Sequence, residues 1–332
     1  MPLRFPAACA ALALVLAAAS AATCAAAPAS ASSLPFDWYP ESVAAAPDGT
    51  LYVGSWRQGA VARLRPGALE AEILVPPGSN GLANTQGVLV DADAGLLWVC
   101  SGSMGFTTVP TTPSALKSYD LATGAPRASY PMPEAGYCND LVQDKAGNLY
   151  VTDSLHPRIL RLAPGASALS VWKEDPAFST GDQYFLNGIA LDGANRLYVS
   201  AVMAVDYLLR VDIGPSGQAG PVARIAAPRK MKNVDAIRSA GPGRLVLFES
   251  NAFGNEQYGG AVTIAQIDGT RVASLAPLVA GLNDPSSGAV FGDRVYFIES
   301  KYSLLFKHKD DDAAVPRSVP FAVASRALPH PD

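Results

Sequence analysis

The chain has 332 residues, 49% of them hydrophobic and 16% charged, with a formal net charge of −4. That balance supports a large core and excludes an intrinsically disordered chain. The longest basic cluster, Arg229-Lys230-Met231-Lys232, is too small for the broad positive surface a nucleic acid requires, so no nucleic-acid partner is expected.

In chain order, the first feature is residues 1–31. Arg4 gives a positive start, an Ala-rich apolar run follows, and Ala29-Ser30-Ala31 has the small-x-small form of a cleavage site. This segment reads as a signal peptide, which makes the protein periplasmic or secreted and leaves residues 32–332 as a single domain. No other stretch approaches 18 consecutive apolar residues, so no membrane span is expected. Cys9 and Cys24 depart with the signal. Cys100 and Cys138 remain, either paired in an oxidising compartment or buried as two small hydrophobes.

From Glu41 onward the chain repeats. "ESVAAAPDGTLYVGS" from Glu41 is followed by "QGVLVDADAGLLWVCS" from Gln86 and "NDLVQDKAGNLYVTDS" from Asn139. "NGIALDGANRLYVSA" from Asn187, "DAIRSAGPGRLVLFES" from Asp235 and the shorter "SGAVFGDRVYFIES" from Ser287 complete the series. The starts lie 45, 53, 48, 48 and 52 residues apart. Each copy is a polar residue, a small apolar strand, a Gly-containing turn and an aromatic or aliphatic strand. A second hairpin pattern follows, as in "AVARLRPGALEAEILV" at 60–75 and "RILRLAPGASALSVW" at 158–172. No amphipathic helical pattern of useful length appears. Four short strands repeated six times predict an all-β fold: a six-bladed β-propeller with four antiparallel strands per blade.

In a propeller the first strand of each blade lines the central channel, so the residues heading the copies converge at one end. Here they are Glu41, Gln86, Asn139, Asn187, Asp235 and Ser287. Any one Asn or Asp before a strand is an ordinary turn residue. Four hard-oxygen donors at equivalent positions, two of them carboxylates, instead suit Ca²⁺, which takes six to eight oxygens at variable geometry. Zinc is disfavoured, because the chain has three His and none lies near a Cys pair.

"PESVAAAPDGTLYVGS", "LNGIALDGANRLYVS" and the order Glu–Asn–Asn–Asp resemble the senescence-marker/gluconolactonase superfamily of six-bladed propellers. That group is related to the paraoxonases and to diisopropyl-fluorophosphatase. The resemblance covers residues 36–325. It implies that Glu41, Asn139, Asn187 and Asp235 hold a catalytic divalent cation, often calcium, and that Asp235 serves as the base. Asp140, beside Asn139, is the second candidate for that role. The chain also departs from the pattern. "NVDAIR" stands where many gluconolactonase relatives have Pro-Asp-Gly, "ESV" lacks the usual following Pro and Trp, and the paraoxonase histidine pair has no counterpart.

The return of each blade's second strand places Asp153, Glu249 and Glu299 near the same face, while Lys232 lies just before Asp235 and His156 on the loop after the third blade's second strand. Gln86, Lys232, His156 and Glu249 are the candidates for substrate binding, with Asp153 and Glu299 close by. No G-x-S-x-G occurs, which argues against a serine nucleophile on a strand-to-helix elbow. The expected function is metal-dependent hydrolysis of a lactone or related ester, a small-molecule substrate, by a monomer. The alternative is a non-catalytic propeller in which calcium only ties the blades together. A strictosidine-synthase-like propeller, which does not depend on the metal, fits the full ligand set poorly.

Overall fold

The computed structural model describes residues 31–181, 185–251, 258–308 and 311–330. Apart from Ala31, the signal-peptide reading lies outside the described residues. None of the described helices is long and apolar enough to cross a membrane.

The described elements are almost all strands, arranged as successive antiparallel meanders. The first contains Pro40–Ala45, Leu51–Ser55, Ala60–Leu64 and Glu72–Val75. The second runs through Asn84–Asp91, Leu96–Gly102, Ala115–Asp120 and Pro126–Pro131. The third comprises Cys138–Gln143, Leu149–Asp153, Arg158–Leu162 and Ser170–Glu174. Next comes an eight-stranded sheet made of two such meanders. The fourth starts at Leu186–Asp192 and ends at Ala219–Ala226, and the fifth starts at Val234–Ser239 and ends at Arg271–Leu282. Their outer strands meet in one parallel pair, Ala226 opposite Arg271. The sixth uses Gly288–Phe291, Arg294–Ile298 and Ala322–Ala327, and its fourth strand is Ser32–Ser33 from the other end of the sequence.

The first strands of the six meanders neighbour one another in a closed ring, the sixth returning to the first. Burial follows position in the sheet. Second strands such as Leu51–Ser55 and Leu149–Asp153 are buried at every residue, because a neighbouring sheet covers each face. Outer strands such as Pro126–Pro131 are partly or wholly exposed. The core is accordingly divided into apolar clusters between successive meanders. One cluster joins the last to the first, with Val43 and Val53 packed against Ile298 and Tyr302.

Close packing at the ring explains a sequence feature that reads as a turn signal. Gln86-Gly87 and Asn187-Gly188 lie inside strands. A Cβ on Gly87 would stand 2.7 Å from the Cα of Asp140, and one on Gly188 2.7 Å from the Cα of Ala236. These glycines let adjacent first strands touch backbone to backbone.

Cys100 and Cys138 form a disulfide, with Cα atoms 5.2 Å apart. It joins the second strand of the second meander to the first strand of the third, and settles the choice the sequence left open in favour of pairing.

Candidate active site

Each of the first five meanders begins with a register shift between its first two strands. The shifts fall between Pro40 and Val43, Thr85 and Val88, Cys138 and Leu141, Leu186 and Ile189, and Val234 and Ala236. Inside those intervals sit Glu41, Gln86, Asn139, Asn187 and Asp235. A β-bulge leaves its extra residue outside the ladder and re-aims the side chain. Five bulges thus turn five polar side chains toward the middle of the ring. All five line one cavity of about 310 Å³, together with Asn233, Ser103, Ser154 and an apolar wall. Ser287, the sixth head residue, does not line it and hydrogen-bonds Arg238 instead.

The cavity floor concentrates oxygen. Asn187 Nδ2 donates to Asp235 Oδ1 at 2.9 Å, which turns Asn187 Oδ1 away, buried and without a hydrogen-bond partner. Asn233 repeats this arrangement: Nδ2 donates to Ser250 Oγ at 2.9 Å, and its Oδ1 is buried and unpartnered. Asn139 Nδ2 donates to Ser154 Oγ at 2.9 Å. Gln86 contributes a buried Nε2 without an acceptor.

Charge is crowded at the same place. Burial pushes the Glu41 carboxyl well above its ordinary value, with the negative charges of Asp235 and Asp140 adding to the effect. Burial likewise pushes Asp235 up to about 7, against the opposing hydrogen bonds of Asn187 and Ser250. Two buried carboxylates beside two orphaned carboxamide oxygens are a donor set that fits a hard, oxygen-seeking cation. Among the described residues no three His, Cys, Asp or Glu gather as a metal cluster, so such a site draws on carboxamides.

The other residues read from the sequence lie elsewhere. The Asp140 carboxylate accepts from the Leu141 and Ile189 amides at 3.0 and 3.2 Å and from Arg238 Nη1 at 2.8 Å. It borders a small void with Glu41 and Asn139 rather than the cavity, and it ties the third, fourth and fifth meanders together. Glu249 is buried, accepting from both Arg229 Nη atoms, Thr263 Oγ1 and the Lys232 amide. The Lys232 ammonium donates to Gly259 O at 2.5 Å. His156 Nδ1 lies 3.1 Å from Asp153 Oδ2. None of Glu249, Lys232 and His156 lines the cavity.

Two contributions were not read from the sequence. Asn233 stands just before the fifth meander's first strand, two residues ahead of the bulged Asp235, and lines the cavity with it. The second is the cavity's aromatic wall. The short helix Tyr302–Phe306 is the one α-helix among the described residues, and it brings two rings to the cavity beside Trp56. Five residues give no helical periodicity to detect.

No protein-family model matches the chain, and no curated protein matches it in sequence. Solved structures do resemble it. A gluconolactonase from Xanthomonas campestris is 16% identical with a TM-score of 0.59, over 90% of this chain and 89% of that one. A luciferin-regenerating enzyme is 13% identical with a TM-score of 0.59, over 89% and 92%. A chain of a nidogen–laminin complex is 15% identical with a TM-score of 0.55, over 75% and 84%. At these identities the likeness is one of fold, and a fold hosts many functions. The resemblance read from the repeats therefore holds in three dimensions: the protein shares the fold of the gluconolactonase-like propellers.

Proposed function

We propose that the protein is an exported six-bladed β-propeller, the eight-stranded sheet counting as two blades, that hydrolyses a lactone or related ester with the help of a divalent cation. The observation that carries this reading is the convergence of Glu41, Asn139, Asn187 and Asp235, through four β-bulges, on one cavity. The likeness in fold to a gluconolactonase supports it. The Cys100–Cys138 disulfide supports export, since such bonds persist in oxidising compartments.

Glu41, Asn139, Asn187 and Asp235 would hold the ion, with Ca²⁺ the best match to their oxygens. When bound, such a cation polarises an ester carbonyl as a Lewis acid. The chain's own residues do the rest. Asp235, oriented by the Asn187 amide at 2.9 Å, is the carboxylate on the cavity floor best placed to take a proton from water. Gln86 Nε2, buried without an acceptor, is available to donate to a substrate oxygen. Asp140 keeps the ring in register through Arg238.

A second reading, a binding propeller with a structural calcium, is favoured by the likeness to a chain of a nidogen–laminin complex. Metal analysis and a lactone and ester panel, with and without Ca²⁺, decide between them. Under the first reading Ca²⁺ raises the melting temperature by ligand linkage and is required for turnover. Asp235→Asn, assayed at saturating Ca²⁺, then loses about 10²- to 10⁴-fold in hydrolysis. Metal binding without turnover of any lactone or ester would sink the hydrolase and leave the scaffold. Failure to bind any divalent ion would remove both.

A further inference from the structure

The cavity is divided sharply by chemistry. Charged and carboxamide groups form one part of its lining, the floor, and Trp56, Met104, Leu155, Val202, Tyr302 and Phe306 another, the wall and rim, whose Tyr302 hydroxyl is buried without a hydrogen-bond partner. The rings are packed into one another. Tyr302 stacks on Phe306 with centroids 5.6 Å apart, and Trp56 meets Tyr302 edge-on at 5.1 Å. The Trp56 indole N–H is directed to Gly105 O at 3.3 Å, so this ring offers the cavity mainly its apolar surface. At the rim, Met104 and Leu155 are 43% and 39% exposed and extend the apolar surface of the wall toward solvent.

Resting on the hydrolase reading above, we infer that the substrate is a lactone or ester with an apolar body, an alkyl or aromatic group lying along the Trp56–Tyr302–Phe306 wall while its carbonyl meets the floor. A polyhydroxylated sugar lactone fits poorly. Its hydroxyls need hydrogen-bond partners when they leave water, and the Tyr302 hydroxyl is the one side-chain polar group of this wall without a partner of its own. An alkyl or aromatic body gains by burying apolar surface against the rings. Phe306 is the specificity-determining residue most open to test, because it is only partly buried and packs at the edge of the cluster.

The experiment compares three six-membered lactones on the intact protein at saturating Ca²⁺: δ-gluconolactone, unsubstituted δ-valerolactone and δ-decalactone, which carries a five-carbon tail. The expected order of kcat/KM places δ-decalactone about 10-fold or more above δ-gluconolactone. Phe306→Ala should cut the δ-decalactone value by about the same factor, lower the ratio of δ-decalactone to δ-valerolactone turnover and preserve the circular dichroism of the fold; an unchanged ratio overturns the inference. Preference for δ-gluconolactone overturns the inference while the hydrolase stands. Turnover of none of the three overturns the hydrolase, and binding then decides the cavity's preference. Quenching of tryptophan fluorescence by δ-decalactone but not by δ-gluconolactone, lost in Trp56→Phe, supports an apolar ligand. Equal response to the two lactones, or none, overturns it.

Discussion

The third and fifth meanders solve one structural problem with different side chains. In each, an acidic residue ends the second strand, Asp153 or Glu249, and a serine follows it. The acid turns inward and accepts a backbone amide from the segment leading into the first strand. Asp153 accepts from Tyr137, one residue before its register partner Cys138. Glu249, longer by one methylene, accepts from Lys232, two residues before its partner Val234. Each acid also takes an arginine, Arg158 in one and Arg229 in the other. The serine reaches back to a polar residue of the channel: Ser154 to Asn139, Ser250 to Asn233 and Asp235. The acids are therefore ties that fix the start of each first strand, and the chemistry sits one layer inward. Asn139 and Asp235 occupy matching places there, so the two meanders differ at the site by one charge.

That comparison can be broken at its strongest difference first. The third meander is cross-linked through Cys138, where the fifth has Val234 at the matching register position. Cys100→Ser with Cys138→Ser should cost about 4 kcal/mol, from the loop entropy of a crosslink spanning 38 residues. Urea denaturation of the double variant checks this. A change below about 1 kcal/mol would mean that the third meander holds its place by packing alone.

The next difference lies in the ion pairs. Arg158 and Asp153 are 2% and 0% exposed, whereas Arg229 is 41% exposed beside Glu249. Asp153→Asn leaves the buried Arg158 guanidinium with Pro133 O and the exposed Glu134 carboxylate, each at 2.7 Å, and should cost about 3 kcal/mol, the low end for breaking a buried pair. Glu249→Gln leaves an arginine that can turn to water, and should cost about 1–3 kcal/mol. Equal losses in the two melting curves would show that the amide bonds, common to both, dominate.

The smallest effect is one of pH. Burial raises the Glu249 carboxyl, but the bonds from Arg229, Thr263 and the Lys232 amide outweigh it and leave the group below its ordinary value of 4.5. A carboxyl depressed in the folded state stabilises fully above its unfolded value, and that contribution fades as pH falls through the folded one. Stability measured from pH 6 downward should therefore decline less steeply below about 4.5 in Glu249→Gln than in the unmutated protein. Parallel acid limbs would count against the tie.

Much of this was legible because the repeat is written in polar residues. The heads of the copies, Glu41 through Asp235, announce both the ring of strands and the cavity floor, since a residue recurring at one structural position must recur in space. Less legible was what surrounds them. "VTDS" and "LFES" place Asp153 and Glu249 at the right end of their strands, but only packing shows both turned inward onto amides. His156 and Lys232 look available in sequence, yet each has a polar partner within hydrogen-bond distance. The aromatic wall is assembled from Trp56 and a five-residue helix some 250 positions later, with no local pattern linking them.

The strand Ser32–Ser33 carries a consequence for when the molecule can exist. It pairs with Val323 and Ala322 in the sixth meander, while the Ser33 amide donates to Leu69 O in the first. The ring is thus fastened by residues from opposite ends of the sequence. At synthesis rates of about 5–20 residues per second, the early strands wait roughly 15–60 s for their closing partner. Until then the first and last sheets each lack a neighbour, and a fold with contacts this distant is slow to commit.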